Sequence, residues 1–373
     1  MIFQATIQVD SPLALTVRRA TGNDIDTLRY IPGGTIRGAL AMSFLEGPGH
    51  KAEDPCFQAV FNGPNAVRFG DLRVSHAQPW PLSARICARF PDEHRAVDRL
   101  LLLAQRGEAV RECRACDSKM ITAEGYVRWV RNAKGATHYS TMPVATRRTA
   151  HVQIDPQLLR AKHGQFFSSN AMEPGQALKG WISANGEAAE HFKTLVGGER
   201  ELYLGRGRSR GQGRTRLQVD EIGPPDMNTA QARIEQFNRE ARRLYPEFQN
   251  QLLFSCTLRS HAILFDEWLL SRSWLEATDL GLKEFQLLSW FSSEAGVTGW
   301  HAAENLPRAE MHAMASGSCF LFGREATGNL EQDCRMLAKI AVELETNGIG
   351  ERRAEGFGEV RCCDEFHFRQ GGN

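Results

Sequence analysis

The residues best suited to chemistry lie in the stretch Tyr203 to Val219, YLGRGRSRGQGRTRLQV. Between Gly205 and Arg216 it carries four glycines, five arginines (Arg206, Arg208, Arg210, Arg214, Arg216) and no acidic residue. Glycines let a backbone turn sharply, and guanidinium forks match phosphate oxygens, so the composition is that of a loop gripping a polyanion. The pattern returns near the C-terminus as GIGERRAEGFGEVRC. Aligning Gly205 with Gly350 pairs Arg208 with Arg353, Gly211 with Gly356, Gly213 with Gly358 and Arg216 with Arg361. A lone loop of this kind also serves as a turn feeding a strand, but recurrence of both residue types points to one fold used twice. Neither copy has the spacing of a Walker loop or of a dinucleotide fingerprint.

A second chemistry is metal binding. Cys113 and Cys116 stand two residues apart and supply half of a tetrahedral zinc site, which Cys87 and His94 could complete, with Cys56 and His76 as competing ligands. Four ligands leave no open position, so such a zinc would be structural. Glu93 precedes His94 outside any HExxH helix and offers no general base. Nine cysteines, an odd number, argue against a disulfide framework and for a reducing compartment.

His151, in RRTAHVQID behind Arg147 and Arg148, invites a reading as general base toward a ribose hydroxyl, although a lone histidine on a strand more often binds or packs. The turn IPGGTIRGAL places Gly33 and Gly34 ahead of a helix with Arg37 in its first turn. Bare amides at such an end attract phosphate, and a packing turn is the competing explanation.

These residues need elements to position them. Ile2 to Asp10 alternates as a half-buried strand with Phe3, Ala5, Ile7 and Val9 on one face, and Ile36, Leu40 and Phe44 predict a helix. Val67 to His76 reads as a strand interrupted at Gly70, with further strands at Arg147–Asp155, Gln165–Phe167, Gln176–Ile182 and Leu217–Ile222. A short helix carries Ala188, Phe192 and Leu195. Gly223-Pro224-Pro225 divides the chain into residues 1–225, with an insertion at about 79–139, and 251–373, joined by a connector helix over 226–250. Ser318–Phe322 reads as a buried strand, and Leu330–Leu344 as a helix capped by Asn329. In both halves the order becomes strand, helix, strands, helix, glycine loop, strand. The expected class is α+β: two βαββαβ ferredoxin-like (RRM-like) domains.

A formal net charge of +1 and a pI near 7.6 exclude a general polyelectrolyte binder, so any nucleic-acid site is a local patch. The N-terminus reads as a strand and no apolar run suits a bilayer, giving the expectation of a soluble, cytoplasmic protein.

With IPGGTIRGAL, YLGRGRSRGQGRTRL, GIGERRAEGFGEV, the CxxC insertion and RTAHVQID in view, the chain resembles the RAMP superfamily of CRISPR-associated proteins. It is most similar to the subunit of type III-D effector complexes that caps the 5′ repeat-derived handle of the guide RNA. The resemblance spans nearly the whole chain, with nothing specific between about Asp266 and Pro307. It implies a non-catalytic subunit binding the guide RNA handle and neighbouring Cas subunits. By resemblance Arg206, Arg208 and Arg210 face the handle, beside the Gly33-Gly34 turn and the His151 strand. Tyr203 and Phe357 are candidate base stackers, and Arg353 belongs to the lesser second loop. Two alternatives compete: a metal-independent endoribonuclease maturing the guide precursor with His151 as base, and a zinc-stabilised interaction subunit that touches no RNA.

Overall fold

The computed structural model describes residues 1–16, 24–63, 65–106, 110–131, 137–155, 157–158, 160–301 and 306–369. Strict alternation yields β1 (Ile2–Val9), with Phe3, Ala5, Ile7 and Val9 buried. The four-residue spacing of Ile36, Leu40 and Phe44 yields α1 (Gly33–Leu45), which buries that face. The next strand is split into β2 (Arg68–Phe69) and β3 (Arg73–Val74), and at Gly70 between them a Cβ would lie 2.6 Å from the Trp181 carbonyl. The insertion contributes β4 (Ala84–Cys87), β5 (Val97–Asp98), α2 (Leu100–Arg106), β6 (Met120–Thr122), β7 (Tyr126–Arg131) and β8 (Thr137–Thr141). A long hairpin follows, β9 (Thr146–Asp155) with β10 (Arg160–Met172). Then come β11 (Ala177–Ser183), α3 (Gly186–Val196), β12 (Arg200–Tyr203) and β13 (Arg214–Gly223).

Asp226 accepts hydrogen bonds from the amides of Asn228 and Thr229 and so starts α4 (Met227–Leu244). The second half consists of β14 (Gln251–Leu258), β15 (Gln286–Phe291), β16 (Glu294–Val297), β17 (Met311–Met314), β18 (Cys319–Glu325), α5 (Leu330–Asn347), β19 (Val360–Cys362) and α6 (Phe366–Arg369). Asn329 caps α5 through the Gln332 amide, as its position suggests.

The first sheet runs β12-β13-β1-β11-β2, with β3 also on β11, and the second runs β15-β18-β14-β19; every pairing in both is antiparallel. In each, the half's first strand is central, between its last strand and the strand before its last long helix. The halves differ, since among the described residues the second sheet has no counterpart of β12 beyond β19 and the second half lacks the first helix. Between Leu258 and Gln286 the chain makes only a single helical turn, Ala277–Leu280, where the expected order asks for a helix. Leu275, Leu280, Leu282 and Phe285 anchor this stretch in the core.

The halves meet through the second glycine loop. A Cβ on Gly33 would sit 1.7 Å from the Phe69 carbonyl and 3.1 Å from that of Glu355, so only glycine fits. Buried Arg73 bonds Asp71 at 3.2 Å, Glu359 at 3.3 Å and the Arg259 carbonyl at 2.5 Å, and Arg68 reaches Asn347 at 2.6 Å.

The insertion also leans on the second half. Leu100 and Leu101 enter that half's core, Trp80 packs on Phe366 with Tyr139, and Leu82 donates to Gly317. Its buried Asp98 faces His367 Nδ1 at 3.1 Å, while His367 Nε2 lies 2.8 Å from the Thr257 hydroxyl. The insertion's apolar side chains are thus buried largely against another part of the chain. Likewise α4 is more than a connector, since Ala230, Ile234, Phe237 and Ala241 are core residues and Arg233 pairs with Glu345 of α5 at 2.7 Å. No helix among the described residues is long and apolar enough to cross a membrane.

Candidate nucleic-acid interface and metal centre

The two glycine loops share their backbone almost atom for atom. In the first, Arg206 N donates to Ala14 O at 3.0 Å, Leu204 N to Gly213 O at 2.8 Å and Gly213 N to Pro12 O at 3.0 Å. In the second, Glu351 N donates to Ile263 O at 2.9 Å, Ile349 N to Gly358 O at 2.9 Å and Gly358 N to His261 O at 2.8 Å. A single 3-10 turn fills each loop, Arg208–Arg210 and Arg353–Glu355. Gly213 and Gly358 have φ of 82° and 75°, and a Cβ there would fall 2.0 and 1.8 Å from the Leu204 and Ile349 carbonyls. The repeated glycines thus meet the same steric demand twice.

Their charges differ. Of the five arginines of the first loop, Arg214 pairs with Glu201 at 2.8 Å, and Arg216 grips Asp10 through two bonds of 2.8 and 2.9 Å with Glu199 at 3.6 Å. Hydrogen bonding to Asp10 pushes the Arg216 pKa above its usual value. Both arginines flank the loop on β13, within reach of Glu201 on β12, Glu199 just before it and Asp10 just after β1. Arg206, Arg208 and Arg210 are exposed and have no carboxylate partner among the described residues; Arg208 Nε donates only to Gly205 O, at 3.2 Å, curling the loop on itself. The free positive charge narrows from five residues to three.

In the second loop Glu355 takes two bonds from Arg308, at 2.8 and 3.0 Å, and two from Arg352, at 2.8 and 3.2 Å, and Arg361 pairs with Glu345 at 3.1 Å. Arg353 alone stays without a carboxylate among the described residues, and it is exposed. Phe357 lies under the Arg352 guanidinium at 4.8 Å and packs on the Ile263, Val297 and Ala313 cluster, so its face is covered. Tyr203 is 46% exposed and its hydroxyl donates to Glu201 at 2.8 Å, leaving a ring fixed at the edge of the arginine loop.

The helix start expected to greet a phosphate is occupied. Gly33 is buried and its amide donates to Asp71 at 3.1 Å, while the Glu355 side chain lies against Gly34. Burial pushes the Asp71 carboxyl up to about 7, against the pull of Arg73 and of the Gly33 amide. Arg37 donates to the Phe61 carbonyl at 2.6 Å, and burial lowers its pKa; it braces the helix against the following segment.

The hairpin β9–β10 is brought to the first loop by Leu13 and Ala14, of which Leu13 bridges to Met172 at the hairpin base and Ala14 to Arg206. Arg147 is exposed beside that base; Arg148 bonds Ser168 at 2.9 Å and Asp24 at 3.2 Å. His151 stacks on Phe167 with ring centroids 4.8 Å apart and an 18° tilt, and its Nε2 lies 3.4 Å from the Ser169 hydroxyl. Phe167, absent from the sequence-derived candidates, was visible only as one of two adjacent phenylalanines whose strand register had to be known first.

The four expected metal ligands come together. One ligand atom from each of Cys87, His94, Cys113 and Cys116 lies within 4.8 Å of the others, with Cys87 Sγ to Cys116 Sγ 3.5 Å and Cys113 Sγ to His94 Nδ1 3.3 Å. A tetrahedron with ~2.3 Å metal–sulfur bonds has edges of about 3.8 Å, so this cluster could hold a metal after minor adjustment. The local turns explain the convergence: Cys116 N and Asp117 N both donate to the Cys113 carbonyl, and Asp117 adopts a left-handed φ of 55°. The Phe90 amide points at Cys87 Sγ at 3.4 Å, a donor that stabilises a thiolate. Hydrogen bonds from Ser118 bring the Cys116 thiol down to about 6, the direction ligation needs. The competing ligands lie elsewhere: Cys56 packs at the margin of the first core, and His76 stacks on Trp181 at 5.1 Å.

Several solved structures are similar to this chain. A chain of the cryo-EM structure of the type III-B Cmr-beta complex bound to cognate target RNA and AMPPnP covers 96% of this chain and 99% of its own length, at 12% identity and a TM-score of 0.44. The crystal structure of Cmr4 (Cas7) from Pyrococcus furiosus covers 60% of this chain and 100% of its own, at 11% identity and a TM-score of 0.28. A search of curated proteins gave no match. The sequence profile of the RAMP superfamily matches residues 6–216, the stretch from β1 through the first arginine loop and over half of the sequence, and by that match this chain belongs to the RAMP superfamily.

Proposed function

We propose that this chain is a non-catalytic RNA-binding subunit of a type III, III-D-like, CRISPR effector ribonucleoprotein that grips the 5′ repeat-derived handle of the guide RNA and contacts neighbouring Cas subunits. The observation that carries the reading is the trio Arg206, Arg208 and Arg210: exposed, without carboxylates among the described residues, and held close together by glycines at positive φ. Holding like charges together on a loop is unfavourable unless a polyanion compensates them, and a phosphodiester chain does so through charge-assisted bonds. Arg147 at the hairpin base and the exposed face of Tyr203 extend the surface for phosphate and base.

In this proposal the two halves are ferredoxin-like domains over residues 1–225 and 251–373, joined by the helical segment 226–250. The insertion is tied down by a structural Zn²⁺ on Cys87, His94, Cys113 and Cys116. The endoribonuclease alternative has less support, because the His151 ring is stacked on Phe167 and its one hydrogen-bond neighbour among the described residues is a serine hydroxyl. Binding of a handle-containing RNA by Arg208→Ala/Arg210→Ala tests the proposal. The variant should bind more weakly, with the salt dependence flattened by about 0.7 of a log–log slope unit for each phosphate released from an arginine on a single strand. Unchanged affinity and slope would refute it.

A further inference from the structure

Beside the metal cluster the insertion forms an open cavity of about 740 Å³, whose lining includes Arg85, Arg99, Arg111 and Lys119 with Glu112 and Asp117. Four cations against two anions leave this lining at 4 − 2 = +2. None of the four cations forms an ion pair among the described residues, and each is set in place by its element. Arg85 stands on β4 opposite Thr122 of β6 and donates to that hydroxyl. Arg99, just before α2, lies over the Phe291 ring of β15 at 4.4 Å, and its Nε donates to the Ser83 carbonyl at 3.3 Å. Those two interactions fix the plane of the guanidinium and leave its terminal nitrogens with no partner among the described residues.

The adjacent acid, Asp98, forms no ion pair with Arg99 among the described residues. Asp98 accepts from the Ser83 hydroxyl through Oδ1 and faces His367 with Oδ2, so both oxygens are engaged. Burial, and after it the nearby Arg85, draws the Arg99 pKa below the usual guanidinium value, against the pull of Asp98. Lys119 and Arg111 are exposed at the rim, where Glu112 and Lys119 meet in a bridge between the strands around the CxxC turn.

We propose that this cavity binds a phosphate group of a nucleic-acid strand, as a second anion site distinct from the arginine loop. Three planar forks and a lysine offer more donors than a carboxylate's two oxygens can take, whereas a phosphate presents acceptors in several directions. The volume falls within the ~300–1,000 Å³ of sites that enclose a small organic group, so sugar or base can enter with the phosphate. The metal cluster next to it supplies rigidity: β4 carries Cys87 as well as Arg85, and Lys119 follows Cys116 by three residues.

The test uses the full chain and a labelled single-stranded RNA. Arg85→Gln/Arg99→Gln removes the inner pair, and Arg111→Gln/Lys119→Gln removes the exposed pair without disturbing a packed side chain. The arginine-loop variant Arg208→Ala/Arg210→Ala is measured in parallel, so failure of either site is read separately. Each cavity variant should bind RNA roughly tenfold more weakly near 0.1 M salt, with the salt slope reduced by about 1.4 for two phosphates no longer neutralised. Adenosine monophosphate supplies the free-ligand arm. Saturable binding of the mononucleotide, abolished in Arg85→Gln/Arg99→Gln, supports the phosphate site with a free nucleotide as its source. Unchanged RNA affinity and slope in the Arg111→Gln/Lys119→Gln protein, together with no mononucleotide binding by wild type, would overturn the proposal. Competition by a polyglutamate peptide as effective as that by RNA would overturn it too, because the occupant would then be an acidic protein.

Discussion

His367→Ala should be among the most damaging single substitutions in the chain, although the residue lies far from the first arginine loop in sequence. Its ring is buried between the insertion and the second half, with Asp98 at 3.1 Å on one nitrogen and Thr257 at 2.8 Å on the other. Removing it leaves the Asp98 carboxylate buried with only the Ser83 hydroxyl and deprives Thr257 of its partner. Breaking a buried pair from one side costs about 3–5 kcal/mol, and the empty ring volume adds to that. Urea unfolding at about pH 6 measures the loss directly. The pH dependence is a sharper check. Burial alone would lower the His367 pKa, but Asp98, through its charge and its hydrogen bond, and then Asp364 hold it above the ordinary 6.5. Since the folded value is the higher one, the stabilisation is fully present below about pH 6.5 and fades as pH rises through the folded pKa. The gap between wild type and His367→Ala should therefore be widest in mild acid and narrow toward alkaline pH. A loss below about 1 kcal/mol, or a gap that widens with pH, would refute the reasoning.

Other outcomes follow from the same geometry. Gly213→Ala and Gly358→Ala should each cost over ~2 kcal/mol, because the new Cβ meets a carbonyl oxygen at positive φ, whereas Gly211→Ala, with open space around it, should cost about 1 kcal/mol in the same denaturation assay. Elemental analysis of metal-replete protein should give close to one zinc per chain, and Cys116→Ser should lose it and become protease-sensitive around residues 110–122, while Trp80 and α2 stay protected by the second half. Arg353→Ala should weaken RNA binding less than Arg208→Ala, since its loop is neutralised by Glu355 and committed to packing at Gly33; equal losses would contradict that ranking. Purified protein incubated with a repeat-containing precursor RNA should leave it intact, and cleavage that disappears in His151→Ala would establish the nuclease alternative instead.

Elements with one buried face were legible from residue order alone. The alternation of β1, the Ile36, Leu40 and Phe44 stripe of α1 and the Asn329 cap of α5 are local signals that local geometry satisfies. The glycine spacing of the two loops was equally readable, because Gly213 and Gly358 each answer a clash with a nearby carbonyl. The charge state of those loops was not. Asp10 lies 206 residues from Arg216, and only the pairing of β1 with β13 puts them together. Without that register all five arginines look alike. The same limit hid the destination of Gly33 and Gly34: their partners Asp71 and Glu355 come from another part of the first half and from the second half. The missing helix between Leu258 and Gln286, and the insertion's reliance on Phe366 and His367, are properties of tertiary packing with no period to announce them.

The central claim, that Arg206, Arg208 and Arg210 hold the guide RNA, is tested most directly by photo-crosslinking the ribonucleoprotein isolated from its native host and mapping the crosslinked peptides by mass spectrometry. The account predicts crosslinks between the repeat-derived 5′ end of the RNA and the peptides spanning Tyr203 to Arg210, with weaker ones at the base of β9 near Arg147. A handle crosslinked instead to residues 350–358, or to no part of this chain, would contradict it.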